Sequence, residues 1–239
     1  MPPQPTYTIF PLGDSALLLD FGNTISPEVN RQVLQLYHTL QQRAYSFVRD
    51  LVPAYSSLAV YYDPWELSQL QKEEETVFDV LAEMIERLPL VDLPQKTQKE
   101  LTRIPVCYEE ALAPDLRHLA EAKGLTTEDV IRIHTSSPYT VYMNGFVPGF
   151  AYMGEVEESI AMDRKSSPVA VAAGSVGIAG KQTGVYPLPS PGGWQVIGRT
   201  PLQLFDPQAQ DPVLLQPGDR VQFYPITYHE FENYQGRTA

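Results

Sequence analysis

The chain has 239 residues, enough for one large domain or two modest ones. With 43% hydrophobic, 10% aromatic and 19% charged residues it has the composition of a folded globular protein, which excludes a disordered chain or a fibrous repeat. Its 17 basic and 29 acidic side chains give a net charge of −12, which repels nucleic acid and anionic membrane, and no local basic patch offsets it.

From Thr6 to about Leu90 the apolar periods are mixed. Thr6 to Phe10, Ala16 to Phe21 and Leu58 to Tyr62 are short β-branched or aromatic runs that predict strands. Ser26-Pro27-Glu28 reads as a helix start, with a hydroxyl cap, proline at the first helical position and an acid against the dipole, and Val29, Val33, Leu36, Tyr37 and Leu40 follow on one face. A second helix carries Val77, Val80, Leu81, Met84, Ile85 and Leu88, with Glu73, Glu74 and Glu75 at its start. Residues 91–100 are polar and Pro-bounded and serve as the expected linker between an α+β domain of residues 1–90 and a β domain of residues 101–239.

Beyond the linker the sequence predicts a strand at Leu101 to Tyr108 and two short helices, Ala113 to Lys123, stopped by Gly124, and Thr127 to His134. Short apolar stretches follow at Thr140 to Val147, Val169 to Ala173, Val185 to Leu188, Gln195 to Ile197, Gln203 to Phe205 and Arg220 to Tyr224. Of the 15 glycines, 10 lie between Gly145 and Gly198, and such dense turn signals between short strands suit a closed or nearly closed β-barrel. The single cysteine, Cys107, has no internal disulfide partner, and no apolar run approaches the roughly 18 residues of a membrane span. Together with the Met1-Pro2-Pro3 start, this predicts a cytoplasmic protein.

Three familiar motifs fail on their own requirements. Gly180-Lys181 lacks the glycine of a Walker A loop, where Ser175 stands, and its Ser or Thr, where Gln182 stands. Ala173-Gly174-Ser175-Val176-Gly177 resembles a nucleophile elbow, with Asp206 and His229 after it, but residues 178–184 are too glycine-rich to form the helix an elbow enters. His38, His118, His134 and His229 share no metal-ligand spacing, so no metal site is expected. What remains is a dense glycine-aromatic region: Gly145 to Phe150, whose bland reading is a packing corner, Gly174 to Gly184, whose glycines would let backbone N–H groups approach an anion or simply form tight barrel corners, and Ser190 to Trp194 leading to Arg199. An arginine in a glycine-rich wall suits a carboxylate or phosphate, the alternative being a surface position.

The same segments carry a family resemblance. Gly-Phe-Val-Pro-Gly-Phe-Ala-Tyr-Met-Gly at 145–154, Ala-Gly-Ser-Val-Gly-Ile-Ala-Gly-Lys-Gln-Thr-Gly-Val-Tyr-Pro at 173–187 and Ser-Pro-Gly-Gly-Trp-Gln-Val-Ile-Gly-Arg-Thr-Pro at 190–201 resemble the family of the 5-oxoprolinase B component, also described as allophanate hydrolase subunit 1 and as the sporulation-kinase inhibitor. Pro11 to Ala16, Val52 to Leu58, Ile104 to Tyr108, Ala113 to Leu116 and Gln216 to Asp219 extend it over nearly the whole chain. The resemblance implies an α+β amino-terminal domain followed by a cyclophilin-like β-barrel, partner chains in the form of the A and C components of 5-oxoprolinase, and hydrolysis of 5-oxo-L-proline to L-glutamate with ATP and Mg as co-substrate. It leaves open a carboxyltransferase component of a urea or allophanate system and an inhibitor of a sensor histidine kinase. No Met-Lys dipeptide of the biotin-attachment type is present, so biotin would sit on another protein. One departure is that the family carries Pro-Arg pairs where this chain has Asp163-Arg164 and Pro168-Val169.

Opening a cyclic amide requires phosphate contacts, an oxyanion stabiliser and a base. The expected catalytic residues are His134, as base, and Arg199. The expected substrate or phosphate contacts are Gly174, Ser175, Lys181, Gln182, Thr183, Tyr186, Gly192, Gly193 and Trp194, with Gln182, Thr183 and Tyr186 bonding the ring amide. No complete constellation can be assembled from this chain alone, so activity is expected only with the partners.

Overall fold

The computed structural model describes residues 7–72, 75–91 and 101–235. The chain separates into two compact units, Met1–Thr97 and Gln98–Ala239. Nearly all of the expected linker, residues 92–100, lies outside the described residues, as do Glu73 and Glu74.

The first unit is a four-stranded antiparallel sheet with helices. In chain order it comprises β1 (Thr8–Pro11), β2 (Ala16–Asp20), α1 (Pro27–Arg43), β3 (Val48–Pro53), β4 (Ser57–Tyr62), α2 (Pro64–Ser68) and α3 (Val77–Glu86), with sheet order β1-β2-β4-β3. Helix α1 starts as the sequence dictates: Ser26 Oγ accepts the Val29 N–H at 3.2 Å and Pro27 opens the first turn. Val33, Leu36 and Leu40 on its buried stripe meet Leu17, Leu19, Leu58 and Val60 of the sheet and Val80, Leu81 and Ile85 of α3 in one core. Buried Asn30 donates from Nδ2 to the carbonyls of Ala54 and Tyr55 at 3.1 and 3.3 Å and so ties α1 to the β3–β4 turn. The start of α3 differs from expectation. Thr76 and Asp79 cap each other reciprocally, so the helix opens on a capping box rather than on the preceding acidic run.

The second unit comprises β5 (Thr102–Cys107), α4 (Leu116–Lys123), α5 (Thr127–Ser136), β6 (Tyr139–Asn144), β7 (Ala151–Gly154), β8 (Val169–Val171), β9 (Ser175–Ala179), β10 (Gln182–Val185), β11 (Ser190–Gly192), β12 (Gln195–Arg199), β13 (Arg220–Ile226) and α6 (Tyr228–Glu232). Seven of these strands close a barrel in the order β10-β7-β6-β13-β5-β12-β9, and β8 pairs separately with β11. Closure leaves no free barrel edge, which is how short strands of this kind avoid edge-to-edge association. Among the described residues only β5 and β13 run parallel. Ile104, Val106, Val141, Met153, Val176, Ile178, Val185, Ile197 and Phe223 form the barrel core, and Leu116 and Leu119 of α4 with Val130 of α5 belong to the same cluster. Gly124 takes the left-handed cap of α4 at φ 67°, and Thr126 with Asp129 forms the capping box of α5.

Two expected strands are corrected. Gln203 to Phe205 forms only an isolated bridge from Phe205 to Val213, and the run at Val185 to Leu188 leaves the ladder after Val185. No helix among the described residues is long and apolar enough to cross a membrane.

Candidate functional site

The barrel interior holds a polar line. His134, near the end of α5, is fully buried; its Nδ1 lies 2.9 Å from Tyr108 Oη and its Nε2 3.0 Å from Thr183 Oγ1. Thr183 gives its single hydroxyl proton to the Gly177 carbonyl at 3.1 Å. It therefore accepts from Nε2–H, and Nδ1 accepts from the Tyr108 hydroxyl, which fixes the neutral Nε2–H tautomer. The ring stacks on Phe223 at 4.7 Å and 22°, and Tyr139 Oη donates to the His134 carbonyl at 2.9 Å. Burial lowers the His134 pKa from 6.5 to about 3, so the imidazole is uncharged. Both nitrogens are engaged within the protein, and no solute reaches the ring.

The glycine run is a hairpin rather than an open loop. β9 pairs with β10 on one side and β12 on the other, turning at Gly180-Lys181. The N–H groups of Gly174, Ser175 and Gly180 donate to the carbonyls of Tyr186, Ala172 and Met162. These donors are spent, and Lys181 Nζ is held by Glu158 Oε2 at 2.7 Å on the surface. The run does not fit a nucleotide triphosphate, which needs free N–H groups and a free lysine.

The glycines make room for aromatics instead. Trp194 stands at 90° to Phe150 with ring centres 5.3 Å apart, and Phe150, Tyr152 and Tyr186 complete the cluster. A Cβ at Gly192 would come within 2.5 Å of the Tyr186 oxygen, and one at Gly184 within 3.1 Å of both Phe150 and Trp194. Burial raises the Tyr186 pKa, partly offset by the Trp194 backbone N–H donated to the phenol. Phe146 caps the cluster edge-on and is 59% exposed.

The expected site residues thus fall in different places. Arg199 pairs with Ser175 at one end of β9, while Lys181 and Gln182 lie beyond its other end, separated by about 13 Å of strand. Arg199 Nε donates to the Ala173 carbonyl at 2.7 Å, and its guanidinium lies 5.9 Å from the Phe231 ring centre. Thr183 belongs to the interior line with His134; Gly174 and Ser175 are buried backbone beside Arg199. Lys181 lines a cleft of about 590 Å³ shared with Lys123, Glu158, Asp163, Arg164 and Gln195. Gly193 adjoins the same segment, where its carbonyl accepts from Lys165 N at 2.6 Å.

Lys123, Arg164 and Gln195 are not among the expected site residues. Gln195 Nε2 donates to the Asp163 carbonyl at 2.8 Å, and Asp115 Oδ2 accepts both Val196 N at 2.7 Å and Lys165 Nζ at 2.6 Å. A cation at 164 placed between the glycine motifs was the available signal, whereas Lys123 reads as an ordinary final-turn helix residue. A larger groove of about 690 Å³ has Tyr108, Leu116, Ile131 and Pro225 on its walls, with Glu109, Glu110, Glu128 and Glu230 also lining it. It contains none of the expected site residues.

Residues 7–215 match the family described as carboxyltransferase domain, subdomain C and D. The chain is 42% identical over 232 residues to the B component of 5-oxoprolinase from Bacillus subtilis (strain 168), covering 96% of this chain and 97% of the relative. The crystal structure of TTHA0988 superposes with a TM-score of 0.77 at 36% identity; it covers 94% of this chain, which spans 41% of that chain. A conserved uncharacterized protein from Pyrococcus horikoshii is 44% identical, with a TM-score of 0.55 over 94% of this chain and 100% of the other. The chain belongs to the carboxyltransferase domain, subdomain C and D family, among the proteins named as the B component of 5-oxoprolinase.

Proposed function

We propose that this chain is the B component of an ATP-dependent 5-oxoprolinase, hydrolysing 5-oxo-L-proline to L-glutamate together with the A and C components. The observation that carries the reading is the end-to-end match to the Bacillus subtilis 5-oxoprolinase component, 96% of one chain on 97% of the other. On this reading the seven-stranded barrel is the cyclophilin-like domain of the protein, and its aromatic cluster and adjoining cleft form this chain's share of the substrate site. Tyr186 and Trp194 provide a rigid wall, and the cations beside it provide charge. His134 acts as a positioning residue, bracing α5 against β10 through Thr183, because a neutral sealed imidazole has no route to a substrate proton. ATP and its Mg ion belong to a partner, since the N–H groups of the glycine run are committed to protein carbonyls.

The test is reconstitution. Co-expression with the A and C components is expected to yield a stable assembly that releases glutamate from 5-oxoproline with stoichiometric ATP hydrolysis, while the purified chain alone is inactive. ATP-dependent glutamate release by the isolated chain, or failure of the three chains to assemble, overturns the reading.

A further inference from the structure

We propose that Arg164 is an oxyanion-recognition residue at the lip of the 590 Å³ cleft, binding a carboxylate or phosphate group. Its main chain is pinned on both sides: Gln195, only 5% exposed, holds the carbonyl of Asp163, while Lys165 is tied through its N–H to Gly193 and through its ammonium to Asp115. The Arg164 side chain, by contrast, is exposed and has no carboxylate within ion-pair distance among the described residues, although Asp163 and Glu158 line the same cleft. Arg49, Arg87, Arg117 and Arg132 are each paired with an acid. An arginine whose backbone is locked while its donors are left without an acid is preorganised for a partner that comes from outside.

The glycines beside it point the same way. Gly192 is required by the fold, because any Cβ there would overlap the Tyr186 phenol. Gly193 is not so required: a Cβ would meet nothing closer than 3.6 Å, and the nearest atoms include Arg164 Nε at 3.6 Å and Nη2 at 3.7 Å. Those two nitrogens form one donor edge of the guanidinium, the edge that binds a carboxylate or phosphate with two parallel bonds. A methyl at 193 would stand in van der Waals contact with both nitrogens of that edge; glycine leaves that space open. The charge of Arg164 also acts through space on the phenols of Tyr152 and Tyr186, where it opposes the rise in pKa that burial causes. Lys123 lines the same cleft and adds positive charge, whereas Lys181 is matched by Glu158. The inference rests on the proposed function for the identity of the anion, which is then the carboxylate of 5-oxoproline.

The test titrates the full chain with inorganic phosphate, 5-oxo-L-proline and the carboxamide of 5-oxoproline, following arginine side-chain resonances and binding heat. At least one of the two anions is expected to bind, and Arg164→Gln to weaken it about 10- to 150-fold. Arg164→Lys recovers part of the loss, and the carboxamide is insensitive to either change. Gly193→Ala is expected to weaken anion binding without lowering the melting temperature. Binding of 5-oxoproline alone identifies a carboxylate subsite, and binding of phosphate alone a phosphoryl subsite. No binding of either anion, or equal affinity in wild type and Arg164→Gln, overturns the proposal. In the three-chain assembly, unchanged KM for 5-oxoproline in Arg164→Gln overturns the subsite and leaves the proposed function standing. An inactive wild-type assembly whose chain still binds phosphate through Arg164 removes the proposed function and leaves the subsite.

Discussion

Two polar regions of the barrel unit use their hydrogen-bonding groups in opposite ways. In the interior, Tyr108, His134 and Thr183 form a buried line that ends on the Gly177 carbonyl, with His134 and Thr183 fully enclosed. At the cleft, Gln195, Lys165 and Asp115 hold the main chain around Arg164, but the guanidinium itself meets no acid among the described residues. A buried polar group left without a partner costs about 1–3 kcal/mol, and each member of this line has one. An exposed charge is solvated at little cost, so the fold can leave it for a ligand. The comparison separates residues that hold the barrel from one left open to a solute; His134 and Thr183, in the first set, were expected site residues, and Arg164 was not.

The largest expected effect lies in the interior. His134→Ala removes a stacked ring, opens a cavity and leaves the Tyr108 hydroxyl without its acceptor, for a loss of about 3–5 kcal/mol in urea unfolding of the full chain. A loss below about 1 kcal/mol would break the comparison, because it would mean that the line contributes little to the fold.

The next effect is acid lability. In the folded chain the pKa of His134 is lowered to about 3, against 6.5 for the free group, so below pH 6.5 the unfolded chain binds a proton that the folded chain refuses. The stability from the neutral ring is fully present above pH 6.5 and is lost as pH falls toward 3. Wild type should lose ~1.4 kcal/mol per pH unit more than His134→Gln across that window. Equal slopes in the two proteins would show that the ring is protonated in the fold, contrary to a sealed interior.

Much of the fold was legible because local chemistry and burial agree there. Ser26-Pro27 gives the start of α1 and Gly124 the end of α4. β3 was not legible: Val48-Arg49-Asp50 mixes polar and apolar residues on an edge strand, where only one neighbour enforces a pattern. β9 was hidden by its own glycines, which read as a loop although Gly177 sits in the ladder beneath Trp194. The site was legible as a region and not as a set of roles. Sequence distance set Trp194 beside Arg199, but the strand carries Arg199 away from Lys181, and Arg164 reaches Gly193 only through the turn that Lys165 fastens.

Arg199 is the finest test of the comparison, because it was expected to bind an anion and its contacts resemble those of the interior. Its Nε is committed to the Ala173 carbonyl, and its guanidinium lies near the Phe231 ring of α6. Losing that hydrogen bond and a cation–π contact should cost about 1–2 kcal/mol in Arg199→Ala. Arg199→Lys should restore little, since an ammonium on a flexible stem reproduces neither the Nε geometry nor the planar stacking. Melting temperature and turnover per folded molecule in the three-chain assembly are measured together for both variants. The expected outcome is lowered melting with unchanged turnover, which groups Arg199 with His134 as a brace. Unchanged melting with turnover reduced about tenfold or more would instead group it with Arg164 and extend the anion-binding surface to both ends of β9.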